Sequence, residues 1–220
     1  MGNDYLCTFS PLCRTSRGRV AIEKYQHPPF IDGSCRREPD LESAFPAISA
    51  LCRNGKFAPR LKVGDRVAYL GKKSRYLGSK QPFWPLVAIL KVVEEFKSHA
   101  AASRWYTSRS LTLPRNCMVR GNPPLELDHT SGPKEWRCLR ESQADKVIKR
   151  WDEEYRGRAR EYGNFLACST LWMDLEHPIW IDDLMMKAIM DRIPGTQNPP
   201  RISDEQFDGF LRLTKRKLAS

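Results

Sequence analysis

The sequence lacks the features that would mark a membrane, secreted or zinc-binding protein. Apolar runs such as Pro85–Leu90 are far shorter than the roughly 20 residues that span a bilayer. The opening residues, MGNDYLCTFS, contain an aspartate and no basic stretch, so no secretory signal is predicted. None of the seven cysteines stands in a CxxC pair, and the four histidines show no HxH or HxxxH spacing. We therefore expect a cytoplasmic protein with reduced thiols, no metal and no cofactor.

Several common catalytic motifs are also absent. The sequence contains no P-loop, no dinucleotide-binding glycine fingerprint and no serine nucleophile elbow. It has no internal repeat or low-complexity tract, and its 40% apolar and 29% charged residues are typical of a globular protein. The 220 residues fit one large domain or two small ones.

Positive charge is abundant and unevenly placed. The formal net charge is +11, and residues 61–120 alone carry twelve basic and only three acidic side chains. Two windows, Arg66–Val93 and Phe96–Leu125, contain no acid at all. Such a segment attracts polyanions, of which nucleic acid is the commonest in cells. An anionic small molecule or a solvated basic surface without a ligand are the alternatives.

The hydrophobic pattern predicts a mixed α and β protein. Strands are predicted at Tyr5–Phe9, Val67–Leu70 and Leu86–Glu94, the last continuous enough to be buried on both faces. Helices are predicted mainly late in the chain, over Trp136–Tyr155, Asp182–Arg192 and Asp204–Lys217. A break near Gly132 coincides with the end of the charge bias. We therefore expect a nucleic-acid-binding domain over residues 1–132 and a helical extension packed on it over residues 133–220.

A polar loop between residues 32 and 40 is the densest candidate site. It contains Asp32, Glu38 and Asp40 as potential catalytic carboxylates, with Arg36 and Arg37 between them. A carboxylate of this kind can activate water or stabilise a positively charged sugar, and an arginine can clamp a phosphate. The alternative is a surface loop whose charges neutralise one another.

A second group of candidates would hold nucleic acid. The glycine-containing loop 71–80 supplies four cations that are expected to contact phosphates. Trp105 and Tyr106 are candidates for stacking on a base, and Asn116 for reading a base edge. Core packing is the alternative for the aromatic residues. The four cations are Lys72, Lys73, Arg75 and Lys80.

The order of these segments resembles the PUA-like superfamily, which includes the ASCH, EVE, YTH and SRA modules. The resemblance is carried by LKVGDRVAYL at residues 61–70, the basic glycine loop after it, and LVAILKV at residues 86–92. More narrowly, the chain resembles nucleotide-modification-associated proteins of DNA-modification and phage-defence loci. The resemblance implies an α+β fold, with a small mixed or antiparallel β-barrel, flanking helices and a cup for one extruded base.

The resemblance and the polar loop together favour a protein that extrudes a modified base from double-stranded DNA. Extrusion exposes atoms that a duplex hides, at a cost of a few kcal/mol. The leading hypothesis is a DNA glycosylase that hydrolyses the N-glycosidic bond of a modified base in phage DNA, with Asp32 as the first candidate for the catalytic carboxylate. The alternative is a reader of modified DNA or RNA without chemistry. A nuclease is a weaker reading, because the acids do not form a convincing metal site.

Overall fold

The computed structural model describes residues 2–51, 55–132, 140, 143–190 and 199–218. Its strands are β1 (Asp4–Phe9), β2 (Ala47–Ser49), β3 (Arg66–Gly71), β4 (Trp84–Phe96), β5 (Phe165–Met173), β6 (Ile179–Ile181) and β7 (Arg201–Ile202). Its helices are α1 (Ser16–Tyr25), α2 (His99–Thr107), α3 (Ala144–Glu161), α4 (Asp183–Ile189) and α5 (Asp204–Leu218).

All seven strands join one mixed sheet. Its order is β2-β5-β4-β3-β1-β7, with β6 paired to the start of β4. The β1–β3 pair is parallel, and the other pairs are antiparallel. The expected α+β class, with a mixed sheet and flanking helices, is confirmed.

Strands β3 and β4 form the centre of the sheet because both of their faces are apolar. Val67 and Tyr69 of β3 pack into one core cluster, while Ala68 and Leu70 pack into a second cluster on the opposite face. This is the alternation that a strand covered on both sides requires. The strand predicted at Val67–Leu70 is thus observed, with Val67 and Tyr69 on one face.

The sheet curves so that β1 and β2 approach each other. These strands are separated in the hydrogen-bonded order by β5, β4 and β3. Even so, Cys7 and Phe9 of β1 and Ile48 of β2 belong to the same buried cluster. The concave side is therefore a partly closed barrel, and the gap between β1 and β2 becomes its mouth.

Helices α4 and α5 cover the convex face. Met186 of α4 and Phe207 and Phe210 of α5 are buried against this side of the sheet. Ser203 caps α5 by accepting a hydrogen bond from the Gln206 amide at 3.2 Å, and the Ser203 amide donates to Gln206 Oε1 at 3.1 Å. The sequence pattern of serine followed three residues later by glutamine thus forms a capping box.

The expected division at residue 132 is wrong, because the sheet crosses it. Strands β5, β6 and β7 all follow that residue, and β5 lies between β2 and β4. The sequence-based prediction contains no strand at Phe165–Met173, the segment FLACSTLWM that forms β5. The C-terminal part is therefore not a helical extension but supplies part of the central sheet.

The remaining expectations concern the ends of two helices, the cysteines and membrane spans. Helix α3 begins at Ala144, whereas the expected start at Trp136 lies outside the described residues, as does Arg192 at the expected end of α4. The five described cysteines are buried, as expected for small apolar side chains, and Cys52 and Cys138 lie outside the description. Among the described helices, none has the length and apolar character needed to cross a membrane.

Candidate functional site

A cavity of about 260 Å³ opens between β1 and β2, and we call it the central cavity. This volume is close to the lower end of the roughly 300–1,000 Å³ typical of small-ligand sites. Half of its lining residues are apolar or aromatic and half are polar, and the polar half includes two acidic residues and one lysine. Its lining residues are Cys7, Thr8, Phe9, Ser10, Asp32, Glu38, Pro39, Ile48, Ser49, Phe57, Tyr69 and Lys72.

Asp32 is held rigidly at the edge of the central cavity. Its Oδ1 atom accepts hydrogen bonds from the backbone amides of Ser34 at 2.9 Å and Glu38 at 3.1 Å, and from the Ser34 hydroxyl. All three of these bonds end on Oδ1, and none on Oδ2. Burial raises the pKa of the Asp32 carboxyl, and the hydrogen bonds partly oppose that rise.

Glu38 is the second carboxyl group of the cavity wall. Its Oε1 atom accepts from the Ser49 amide at 3.0 Å, and its Oε2 atom accepts from the Ser49 hydroxyl and from Asn116 Nδ2 at 2.9 Å. Burial raises the pKa of Glu38 to about 8, and the nearby Asp32 charge adds to the rise. Glu38 is therefore mostly protonated at neutral pH.

The surroundings of the two carboxyl groups differ in charge. Both groups accept three hydrogen bonds, and burial is the largest cause of the raised pKa of each. The Arg37 guanidinium lowers the pKa of Asp32, whereas the charge of Asp32 raises the pKa of Glu38. Two carboxyl groups in one cavity, with neighbouring charges that act in opposite directions, are a candidate acid–base pair.

Lys72 brings positive charge to the same cavity. Its backbone amide donates to Phe9 O at 2.9 Å, which continues the β1–β3 pairing by one residue, and its carbonyl accepts from the Tyr76 hydroxyl. These bonds place the Lys72 side chain at the cavity, opposite the 32–40 loop. Asp32 and Glu38 of the acidic loop and Lys72 of the basic segment therefore line one cavity.

The other three cations of the 71–80 loop do not line the central cavity. Lys73 forms an ion pair with Asp183 at 2.6 Å and lies 4.5 Å from the centre of the Trp84 ring. Arg75 and Lys80 are exposed. These two remain available for a polyanion that passes over the loop.

Arg36 and Arg37 are not the phosphate clamp that was expected. Arg36 is buried, donates to Asn122 O at 2.7 Å and forms an ion pair with Asp152 of α3. Arg37 is equally buried and donates to the carbonyls of Asp32 at 2.7 Å and His129 at 3.1 Å. Each guanidinium group therefore links the 32–40 loop to a segment distant in sequence. Arg36 contacts Asn122 and Asp152, and Arg37 contacts His129.

Asp40 is also structural and not catalytic. Its Oδ1 atom accepts from the amides of Glu42 at 3.1 Å and Ser43 at 3.0 Å, and its Oδ2 atom accepts from the Arg115 amide. An aspartate that accepts hydrogen bonds from the backbone amides two and three residues ahead fixes the conformation of a loop. Asp40 therefore shapes the loop that presents Glu38, and it does not line the cavity.

Trp105 and Tyr106, the expected stacking residues, do not line the central cavity. Both belong to a separate apolar cluster between α2 and β5, which includes Phe165. Tyr106 is fully buried and donates to Phe45 O at 2.7 Å, while Trp105 packs edge-on against Phe45. Core packing prevails here because α2 lies directly on the sheet.

Asn116 holds the Glu38 carboxyl group in place and does not line the central cavity. It is fully buried, and its Nδ2 atom donates to Glu38 Oε2 and to Ala47 O at 3.0 Å. Its expected role in reading a base edge therefore does not fit this arrangement. The aromatic residues that do line the cavity are Phe9, Phe57 and Tyr69, which sequence reasoning did not select. The strand alternation of Phe9 and Tyr69 is the one signal that could have indicated a shared inner face.

One cluster of potential metal ligands exists elsewhere in the described residues. The ligand atoms of Glu126, Asp128 and His129 lie within 4.8 Å of one another. Asp128 is already engaged by Lys24 at 3.0 Å, and the two carboxylates are exposed. His129 Nδ1 lies 2.9 Å from His27 Nε2. Exposed acids commonly cluster without a metal, and this group lies outside the lining of the central cavity.

Comparisons with known proteins give fold similarity only. No protein-family model matches the chain, and no curated protein matches it in sequence. A hypothetical protein from Leishmania major is similar in structure with a TM-score of 0.42 and 7% identity, over 99% of this chain and 98% of that one. The ASCH protein from Zymomonas mobilis is similar with a TM-score of 0.38 and 10% identity, over 96% of each chain.

Proposed function

We propose that this protein binds an extruded, modified nucleobase of double-stranded DNA in the central cavity. The observation that carries the proposal is the convergence of Asp32, Glu38 and Lys72 on one small cavity that also has three aromatic residues in its wall. Phe9, Phe57 and Tyr69 offer apolar surface for a planar base. The polar groups supply hydrogen bonds to its edge, as in other small-ligand sites.

The basic segment supports nucleic acid as the partner. Residues 61–120 carry most of the net charge, and Arg75 and Lys80 are exposed on the loop that follows β3. Lys72 links this loop to the cavity. A phosphate backbone held by the exposed cations would bring one nucleotide to the cavity mouth.

The carboxyl pair supports hydrolysis of the N-glycosidic bond. Glu38, whose pKa is raised to about 8, is positioned to give its proton to the departing base as the C1′–N bond breaks. The Asp32 carboxylate would stabilise the positively charged sugar and orient the water that adds to C1′. The proton released by that water would pass to Asp32 and then to solvent.

The test uses duplex oligonucleotides, each with one 5-methylcytosine, 5-hydroxymethylcytosine, N6-methyladenine or uracil. Protein and duplex are incubated with EDTA and then treated with alkali, which cleaves the strand at an abasic site. Alkali-dependent breaks that disappear in Asp32→Asn and persist in Asp128→Asn support the glycosylase. Asp128 is a matched control because it is an exposed carboxylate away from the central cavity.

A reader without chemistry is the second candidate, and the hydrogen bonds of Glu38 favour it. Both Glu38 oxygens already accept from Ser49, and one also accepts from Asn116. A carboxyl group so fully occupied is well suited to a fixed recognition surface. Tight binding of one modified duplex without strand breaks would support the reader. Equal affinity for modified and unmodified duplexes would contradict both candidates.

A further inference from the structure

A second cavity of about 210 Å³ adjoins the central cavity. The two share Ser10 and Asp32 as lining residues, so Asp32 stands at the junction between them. The remaining wall comes from the segment after Asp32, from residues 130–132, and from one face of α3. The function proposed above assigns no role to this second cavity.

The wall from α3 is aromatic. Trp151 and Tyr155 are four residues apart in the helix, so they lie on the same face, and both line the second cavity. Both side chains are half-buried, and no residue of α3 is fully buried. These two rings therefore cover a cavity and not a packed core. The Arg158 guanidinium lies 5.8 Å from the centre of the Tyr155 ring and adds a positive charge nearby.

The opposite wall is rigid and rich in hydroxyl groups. The Gly33 amide donates to Ser10 O at 3.1 Å, and the Ser131 amide donates to Gly33 O at 2.7 Å. A side chain at position 33 would meet Ser131 Oγ at 2.2 Å, so the two segments can approach only because residue 33 is glycine. Thr130 and Ser131 complete this wall, and the Thr130 hydroxyl is fixed by donating to Leu127 O at 2.8 Å. A flat ligand between this wall and the rings would be held on both faces.

We infer that the site accommodates two consecutive nucleotides of one strand, with the neighbouring base of the extruded nucleotide stacked on Trp151 and Tyr155. The inference rests on the proposed function, since it requires a base in the central cavity. Asp32, at the junction, would then lie beside the sugar of the extruded nucleotide, which a phosphate joins to the neighbouring nucleotide. Aromatic stacking contributes to single-strand binding without regard to base identity, so this cavity adds affinity and the central cavity selects the modification.

The experiment compares mononucleotides with dinucleotides by isothermal titration calorimetry. The probes are the 5′-monophosphates of 5-methyl- and 5-hydroxymethyl-deoxycytidine, N6-methyl-deoxyadenosine and deoxyuridine, and each is also used with a thymidine on its 3′ or 5′ side. We expect one dinucleotide to bind the unaltered protein about tenfold more tightly than its mononucleotide, the scale of one stacked base. Trp151→Ala should remove that advantage and leave mononucleotide affinity unchanged.

Two variants of the same helix act as controls. Tyr155→Phe keeps the ring and should keep the advantage, and Glu153→Ala changes an exposed side chain outside the cavity lining. Circular dichroism and thermal unfolding check that each variant is folded. Equal affinity for mononucleotide and dinucleotide, or a Trp151→Ala variant that retains the advantage, overturns this inference alone. Absence of binding by every probe overturns the proposed function together with the inference.

Discussion

Asn116 donates a hydrogen bond to Glu38 over 2.9 Å, although the two residues are 78 positions apart in the sequence. The same amide nitrogen also donates to Ala47 O at 3.0 Å, at the start of β2. The coil around residue 116, the 32–40 loop and the edge strand are thereby joined at one buried point. The position of the Glu38 carboxyl group therefore depends on three separate segments.

The raised pKa of Glu38 predicts an unusual pH dependence of stability. Its folded-state pKa of about 8 exceeds the ordinary value of 4.5, so the folded state keeps the proton longer than the unfolded state. The free energy of unfolding should therefore fall as pH rises from about 4.5 to about 8. Glu38→Gln has no proton to lose and should remove the fall, which amounts to about 1.4 kcal/mol per pH unit at most.

Urea unfolding between pH 6.5 and 8.5 isolates this effect. Burial lowers the pKa values of His27 and His99 to about 4, so their contributions rise with pH from about 4 to 6.5 and are constant above it. A wild-type protein and a Glu38→Gln variant with parallel profiles across this range would show that Glu38 is ionised in the folded state.

The Arg36–Asp152 pair should contribute more to stability than an exposed ion pair does. Arg36 is nearly inaccessible to solvent and joins the 32–40 loop to α3, so Arg36→Met removes this link and the hydrogen bond to Asn122 O, while Asp152 keeps its ion pair with Arg156. We expect a loss of about 1.5–3 kcal/mol in the free energy of unfolding. Arg158→Met, which removes the exposed pair with Glu154, should cost no more than about 1 kcal/mol. Similar losses for the two variants in urea unfolding would contradict a structural role for Arg36.

Two helical glycines should respond to alanine with opposite signs. In Gly18→Ala the new Cβ would meet the Leu12 carbonyl oxygen at 1.7 Å, so α1 must shift and the protein should lose at least about 1–3 kcal/mol. In Gly157→Ala the nearest atom is the far end of Arg160 at 3.9 Å, and the higher helix propensity should add about 0.5–1 kcal/mol. Thermal unfolding of both variants measures the contrast, and destabilisation by Gly157→Ala would contradict the open space around Gly157.

Lys72 and Lys73 are adjacent but should differ in DNA binding. Lys72 lines the central cavity, whereas the Lys73 ammonium is paired with Asp183. Lys72→Ala should weaken binding of the preferred modified duplex about tenfold, and Lys73→Ala by about threefold or less. Fluorescence anisotropy at two salt concentrations distinguishes the two effects. Equal losses of DNA affinity would show that Lys72 contributes no more to binding than Lys73 does, and would contradict its role in the central cavity.

A Tyr106 variant tests whether this residue stabilises the fold without contacting DNA. Tyr106→Phe removes the hydroxyl that donates to Phe45 O and should lower the free energy of unfolding by about 1 kcal/mol. Because Tyr106 belongs to the cluster behind β5, DNA affinity should not change. A selective loss of DNA binding without loss of stability would restore Tyr106 to the interface.

Part of this molecule could be predicted from the sequence because it depends on local pattern. The continuous apolar run of β4 and the alternation of β3 require burial on both faces, and the capping box at Ser203 and Gln206 fixes the start of α5. No strand is predicted from the sequence over β5, although its segment is also largely apolar, and its place between β2 and β4 depends on pairing between distant segments.

By itself, the sequence determined the mixed α and β character, the basic middle of the chain, and the selection of the 32–40 loop as the densest polar cluster. Only the tertiary structure decided which of those polar residues line a cavity. Arg36 and Asp40 are engaged by Asp152 and Arg115, whereas Asp32 and Glu38 line the cavity. The reason is physical: whether a buried charge is a structural link or an available group depends on partners brought from distant segments by the curvature of the sheet.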